Sequence, residues 1–322
     1  MEKIKPIRYA VVFPGQGSQY VGMGQEFPKL FPSAMKILEL AEQVTDLPIQ
    51  HLSFSSSEEI LRETTFTQPC LLAISMAAYT VFQEHFPIKP EFLCGHSAGE
   101  YAALAASHVI SFSDAIKLIQ MRGKLMSQMA EGGMVALIDV TLEEAKTLCI
   151  QAVQTNGTLV VANLNSPAQI VISGDSESIE SAICIAFEKN IKAIPLQVSA
   201  AFHSPLMQEV ALNFAKEFSQ FRFNNAVIPV ISNVTSQPVI QGCKWVELLE
   251  KQITAPVQWI DTIHYILQQG IKIFVEVGPN KVLSKLIQKI TPSAITLNIE
   301  DVNSLEFTIT ELQNSLNTTF VS

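Results

Sequence analysis

The sequence predicts an α/β fold: a parallel-sheet core interrupted by an inserted ferredoxin-like βαββαβ subdomain. Three observations predict it. Tyr9–Phe13 reads as a fully buried strand, Phe92–Cys94 and Ile271–Val277 also read as strands, and each ends in a glycine-containing turn. Hydrophobic residues make up 48% of the 322 and charged residues only 16%, which describes a globular chain with a large core. Between 131 and 198 the patterns run strand, helix, strand, strand, helix, strand, the order of a ferredoxin-like unit. The expected division is therefore residues 1–130 with 199–322 as a discontinuous large α/β core, and 131–198 as a small inserted subdomain.

Taken in order, the Tyr9–Phe13 strand ends in Pro14-Gly15-Gln16-Gly17-Ser18-Gln19. Two glycines in so short a loop read either as backbone brought close to a ligand or as a surface turn. Helical patterns follow around Phe31–Gln43, and Thr67–Cys70 opens an apolar helix over Leu71–Phe82. Phe92–Cys94 then leads into Gly95-His96-Ser97-Ala98-Gly99-Glu100, and an alanine-rich helical run, Ala98–Ser107, leads out. Strand, sharp turn and helix around G-x-S-x-G make a nucleophile elbow and give the sheet a hydrolase-like character. Ser97 would stand at a helix N-terminus, where free N–H groups can hold a developing oxyanion. The other reading is a tight turn carrying an ordinary serine.

Ser113 reads as the N-cap of a helix over Asp114–Met129. At 100° per residue Ala115, Leu118, Ile119, Leu125, Met126 and Met129 share one face, and Lys117, Gln120, Lys124, Ser127 and Gln128 the other. Arg122 falls in the middle of the apolar face. A guanidinium cannot deprotonate to escape burial, so it needs an anionic partner. That partner is a core acid or a ligand's carboxylate, unless the stem carries the charge back to solvent.

Within the small unit, Met134–Val140, Thr158–Leu164, Gln169–Ser173 and Lys192–Gln197 read as strands, with Asn165-Ser166-Pro167 as the turn between the middle pair. Leu142–Val153 and Ser176–Lys189 read as its helices. The core resumes at Ala201-Phe202-His203-Ser204-Pro205. Ser204 is a good N-cap and Pro205 a good first helical residue, for a helix to about Phe221. His203 then sits just outside a helix N-terminus, where the dipole disfavours its charged form, as suits a general base. Beyond it lie a strand at Val227–Ile231, a loop at Lys251–Val257 entering a helix near Trp259, and the Ile271–Val277 strand. A helix at Lys281–Ile290 follows, then a last strand and helix from Ser293.

The net charge of −9 and the absence of a Lys/Arg cluster argue against nucleic acid and anionic membranes. Five scattered cysteines indicate neither a zinc site nor a disulfide framework and fit a reducing cytosol. Lys3, Lys5 and Arg8 precede an apolar run too short for a signal peptide. No apolar run approaches a membrane span. A cytoplasmic protein without metal or redox cofactor is expected.

Ser97, His203 and Arg122 combine into one chemistry. A serine activated by histidine attacks a carbonyl and becomes acylated. An arginine fork in the same pocket grips a carboxylate at the far end of the acyl group. A dicarboxylic half-thioester such as malonyl fits.

Six blocks in order then resemble the malonyl-CoA:acyl carrier protein transacylase family over nearly the whole chain. They are Phe13–Gln19, Gly95–Glu100, Gln120–Gly123, Asn163–Pro167, Ala201–Ser204 and Val277–Pro279. The resemblance implies malonyl transfer from malonyl-CoA to an acyl carrier protein, in fatty acid or polyketide synthesis, by a monomer. It implies that the N–H groups of Gln16 and Ala98 form the oxyanion hole. The main-chain carbonyl of Gln252 would orient His203 in place of a triad acid, and the interval between serine and histidine offers no convincing acid. His96 and Asn163 would line the substrate cleft, although a structural role fits Asn163 equally. Phe202 resembles the bulky residue of malonyl-selective members. Ala98 stands where the housekeeping fatty-acid enzymes often have leucine, and alanine there is common in free-standing acyltransferases of polyketide synthases. Lys124 and Lys281 are the cations expected near the cleft mouth, for an acidic carrier.

Overall fold

The computed structural model describes residues 7–129, 131–198 and 200–318. Ten strands are found among them: β1 (Tyr9–Phe13), β2 (Phe92–Gly95), β3 (Gly133–Ile138), β4 (Leu159–Ser166), β5 (Gln169–Gly174), β6 (Lys192–Pro195), β7 (Val230–Ile231), β8 (Pro238–Val239), β9 (Ile273–Val277) and β10 (Ile295–Ile299). Six form one sheet in the order β10-β9-β1-β2-β7-β8. Its pairs are parallel except β7–β8. All five residues of β1 are buried, as expected of a central strand covered on both faces. β1 and β2 run in register from Ala10↔Phe92 to Phe13↔Gly95. They therefore end together, and the loops that follow them meet at the carboxyl edge of the sheet, where α/β folds place their sites.

The remaining four strands make an antiparallel sheet in the order β4-β5-β3-β6. Strand alternation explains its position. Val135 and Leu137 of β3 pack into a core with the Leu142–Ala152 and Ser176–Glu188 helices. Met134 and Ala136, on the opposite face, join the core of the large sheet. The edge strand β4 is stitched to the chain that follows the 244–254 helix: Val257 N–H donates to Ala162 at 2.9 Å and Leu164 N–H donates to Val257 at 3.0 Å. The two expected division points fall at Ala130 and Ser199, which lie outside the described residues, as do Lys3 and Lys5.

Several boundaries differ from expectation for local reasons. Ser111, not Ser113, caps the helix that carries Arg122, accepting from Asp114 N–H, and the helix runs Phe112–Ser127. Asn165 and Ser166 continue β4 rather than forming a turn. The helix expected from Pro205 to about Phe221 is a 3₁₀ turn (Pro205–Met207), an α-helix (Gln208–Glu217) and a second 3₁₀ turn (Phe218–Gln220). The segment 251–254 is not a loop but the end of the Lys244–Thr254 helix, whose Trp245, Leu249, Gln252 and Ile253 face inward. Gln252 interrupts the apolar stripe and hides the period. The apolar helix starts earlier and ends later than Leu71–Phe82, at Thr64–His85, with Pro69 inside it. Pro69 removes one intrahelical bond, and packing on nearly every side holds the helix together. This helix is long and apolar enough to cross a membrane by length and composition, contrary to the expectation, and 83% of its apolar window is buried within the fold.

Candidate active site

The serine turn and the first glycine loop interlock backbone against backbone. A Cβ on Gly99 would lie 2.2 Å from the Phe13 carbonyl oxygen, and one on Gly15 would lie 2.2 Å from that of His96. Only glycine allows either approach, and together they set Gln16 beside Ser97. Ser97 itself has φ +50, the strained left-handed conformation of an elbow. Two side-chain amides hold it there. Asn233 Oδ1 accepts from Ser97 N–H at 2.7 Å, and Gln252 Nε2 donates to the Ser97 carbonyl at 3.1 Å. Asn233 Nδ2 also donates to the Gly95 carbonyl at 2.6 Å. The helix leading out is Gly99–Ala106. Among the described residues neither Gln16 N–H nor Ala98 N–H has a hydrogen-bond partner, so both donors are free.

His203 Nε2 lies 2.8 Å from Ser97 Oγ. Its Nδ1 lies 2.9 Å from the Gln252 carbonyl and 3.1 Å from that of Ala255. Carbonyl oxygens only accept, so the proton is on Nδ1 and Nε2 is free to receive the serine's. Burial first, then the charge of Arg122, push the imidazole down to about 3. It is therefore neutral at ordinary pH. The agent that orients this histidine is main chain, and among the described residues no acid lies on Nδ1.

Arg122 is completely buried and donates three hydrogen bonds, all to neutral oxygens. NH1 donates to Gln68 Oε1 at 2.9 Å, and NH2 to Gln252 Oε1 at 3.2 Å and to Ser97 Oγ at 3.1 Å. Its guanidinium carbon sits 5.5 Å from the Tyr101 ring centroid. Nε has no hydrogen-bond partner among the described residues. Among the described residues no carboxylate lies within 4.0 Å of this cation. Of the alternatives that the sequence left open, the core ion pair and the solvent-reaching stem are both excluded.

A cleft of about 90 Å³ joins these groups, lined by Gln16, Gln68, His96, Ser97, Arg122, Met126, Met134, Asn163, Leu196, Val198, Phe202 and His203. Asn163 is buried and sits at a register irregularity of β4, beside the Val257 bridge. His96 Nε2 donates to Asn165 Oδ1 at 2.8 Å, and its ring meets Trp259 edge to face. Gln16 donates from its side chain to Thr64 Oγ1 at 3.1 Å. Lys124 and Lys281 do not line the cleft; Lys281 Nζ lies 4.0 Å from a Glu300 oxygen instead. The cation beside the groove outside the cleft is Arg62.

Sequence reasoning missed Gln68, Asn233, Asn165, Glu100 and the side chain of Gln252. Glu100 had a signal: it is the one charged residue in the wholly buried Gly99–Ala106 helix. The glutamines and asparagines had none, because an uncharged amide is unremarked at any position until its partners are known.

Comparison with known proteins bears on this site. The family model described as "acyl transferase domain" matches residues 10–318. The chain is 36% identical over 310 residues to the malonyl CoA-acyl carrier protein transacylase of Bacillus subtilis (strain 168), covering 95% of this chain and 98% of that one. The structure of the malonyl CoA-acyl carrier protein transacylase from Coxiella burnetii superposes with a TM-score of 0.93 at 34% identity, covering 97% and 99% of the two chains. A malonyl-transacylase in complex with its type II PKS acyl-carrier protein superposes with a TM-score of 0.91 at 34% identity, covering 95% and 99%.

Proposed function

Because the chain belongs to the acyl transferase domain family, we infer that it moves a malonyl group from malonyl-CoA to the phosphopantetheine thiol of an acyl carrier protein, through a malonyl ester on Ser97. One observation carries this reading: a fully buried arginine, paired with no acid among the described residues, donates to the serine hydroxyl it accompanies. The missing negative charge is supplied by the acyl group's own carboxylate.

In the first half-reaction His203 Nε2 takes the Ser97 proton, and Oγ attacks the thioester carbonyl. Arg122 turns its donors to the distal carboxylate. The N–H groups of Gln16 and Ala98 receive the oxyanion. The C–S bond breaks, and His203 returns its proton to the departing CoA sulfur. In the second half-reaction the carrier thiol gives its proton to His203 and attacks the ester carbonyl. The bond to Oγ breaks and Ser97 regains its proton. Phe202 crowds the α-carbon, and His96 and Asn163 wall the cleft. The steps call for no metal or redox cofactor. We propose a cytoplasmic monomer, serving fatty acid or polyketide synthesis.

Mixing the protein with malonyl-CoA and recording its intact mass tests the reading. A malonyl adduct is expected, lost in Ser97→Ala and discharged by a holo carrier protein faster than by water. A wild-type protein that forms no adduct, or that hands it only to water, would overturn it.

A further inference from the structure

Behind Ser97 lies an acid that the proposed chemistry does not use. Glu100 is completely buried. One carboxylate oxygen accepts from Asn233 N–H at 2.7 Å, and the other accepts from Gln252 Nε2. These are the two residues whose side chains hold the Ser97 peptide. The direction of every hydrogen bond in this chain is forced. Arginine has donors only, so the Gln252 atom facing Arg122 must be oxygen. The amide nitrogen then faces Glu100, and Glu100 must accept. An acceptor on both oxygens is the pattern of an ionised carboxylate.

We propose that Glu100 is a positioning residue: its buried carboxylate fixes the orientation of the Gln252 amide, so that Arg122 meets a neutral oxygen rather than an acid and keeps its charge for the donor's carboxylate. The proposal rests on the reading that Arg122 holds that carboxylate. The arrangement has a use that direct pairing would lack. A Glu100–Arg122 ion pair would make burial of the guanidinium easy but would compete with the substrate. An intervening amide lets the acid balance the charge from a distance and leaves the fork open.

The device has a pH dependence with a definite sign. Burial pushes the Glu100 carboxyl up to about 8, against the pull of the Asn233 N–H, the Arg122 charge and the Gln252 amide. The other titratable groups facing it are Tyr101 on its own helix and Cys94 on β2, and burial raises both further. His203 is depressed to about 3 and does not titrate in this range. Protonation of Glu100 places a hydrogen where the amide's own is, and the amide must turn its nitrogen toward Arg122. Donor then faces donor, and the grip on the distal carboxylate weakens as pH falls below about 8.

Glu100→Gln imitates the protonated acid. The new amide keeps its oxygen on Asn233 N–H and presents nitrogen to Gln252. The test is steady-state transfer with malonyl-CoA from pH 6 to 9, beside the rate of Ser97 acylation by acetyl-CoA. In the wild type, KM for malonyl-CoA should rise as pH falls below 8. In Glu100→Gln it should be about tenfold higher and flat with pH; the turned amide also stops donating to the Ser97 carbonyl, so acetylation falls too, but by clearly less than malonyl transfer. Equal losses with both donors, or a wild-type KM indifferent to pH, would overturn the proposal. Should Glu100→Gln not fold, the double variant Glu100→Gln/Gln252→Glu keeps the net charge and the amide–carboxylate bond but moves the acid onto Arg122. It should lose malonyl affinity at least as severely, and normal malonyl kinetics in that variant would also overturn the proposal. Failure of the wild type to form any malonyl adduct is a separate result, which removes the function reading itself.

Discussion

Two buried carboxylates stand near the same edge of the large sheet, and they are wired differently. Glu276, on β9, accepts from Leu283 N–H at 2.9 Å and Ser284 N–H at 2.7 Å, both at the start of the Val282–Ile290 helix. Glu100, just past β2, accepts from one backbone N–H and one side-chain amide. Burial lifts both, Glu276 to about 7 and Glu100 to about 8. The difference is in what lies beyond. The Glu276 donors are main chain fixed in a helix, so its network ends there. The Glu100 network continues through a rotatable amide to the cation of the cleft. A buried acid closed by backbone holds a fold together; one closed by a side chain can pass an orientation on.

The comparison is broken most sharply by making the cleft resemble the closed case. Gln68 gives Arg122 NH1 a neutral oxygen at 2.9 Å. Gln68→Glu replaces it with an acid of the same shape, and the cation becomes internally paired. kcat/KM for malonyl-CoA should fall by about 10²–10³-fold, while acetyl-CoA acylation of Ser97 changes little. Stopped-flow or quench measurement of acylation with both donors decides it. Unchanged malonyl kinetics would mean that the arginine's charge is not what reads the donor.

Glu276→Gln is the matched control and a smaller effect. One of its two helix N–H groups would face an amide nitrogen, at a cost of about 1–3 kcal/mol in unfolding free energy. Malonyl KM should not move. The pH dependence of stability follows from the same shifts. A carboxyl whose folded pKa is raised contributes stability that is full below its unfolded value and is lost as pH rises through the folded value. Thermal midpoints should therefore decline from about pH 4.5 until Glu276, at about 7, and then Glu100, at about 8, have ionised, and level off above that, and Glu276→Gln should make the decline shallower below about pH 7. A wild-type midpoint that climbs steadily over this range would contradict both shifts.

What the sequence made legible follows from the range of the interactions involved. The elbow was readable because Gly95, Ser97 and Gly99 lie within one turn, and the Arg122 position because helical periodicity is local. The role of the Gln252 carbonyl follows from resemblance alone, and the sequence hides its helix: a polar amide on the buried face of Lys244–Thr254 disguises the period. The expectation that no acid lies between serine and histidine held for His203 and overlooked Glu100, three residues past the serine. Its role depends on Gln252 and Asn233, which are 152 and 133 residues away. Contacts of that separation leave no mark on local pattern.

The smallest predicted effect lies at the other end of the acyl group. Phe202 is buried against the cleft and precedes the base, so under the proposed reading it would meet the donor near the α-carbon, whereas the Glu100–Gln252–Arg122 chain would meet the far carboxylate. A methyl on the α-carbon has to share space with the ring. Discrimination by one methyl is worth only about 1–3 kcal/mol, or roughly 10–200-fold. Phe202→Ala should therefore bring methylmalonyl-CoA closer to malonyl-CoA by about tenfold in competition, read from the ratio of the two acyl-Ser97 masses. Because a phenyl ring takes no part in the hydrogen-bond chain, the rise of malonyl KM below pH 8 should persist in this variant. If Phe202→Ala instead erased that pH dependence, size selection and charge selection would not be separate devices, and the contrast between a closed and an open carboxylate would lose its meaning at this site.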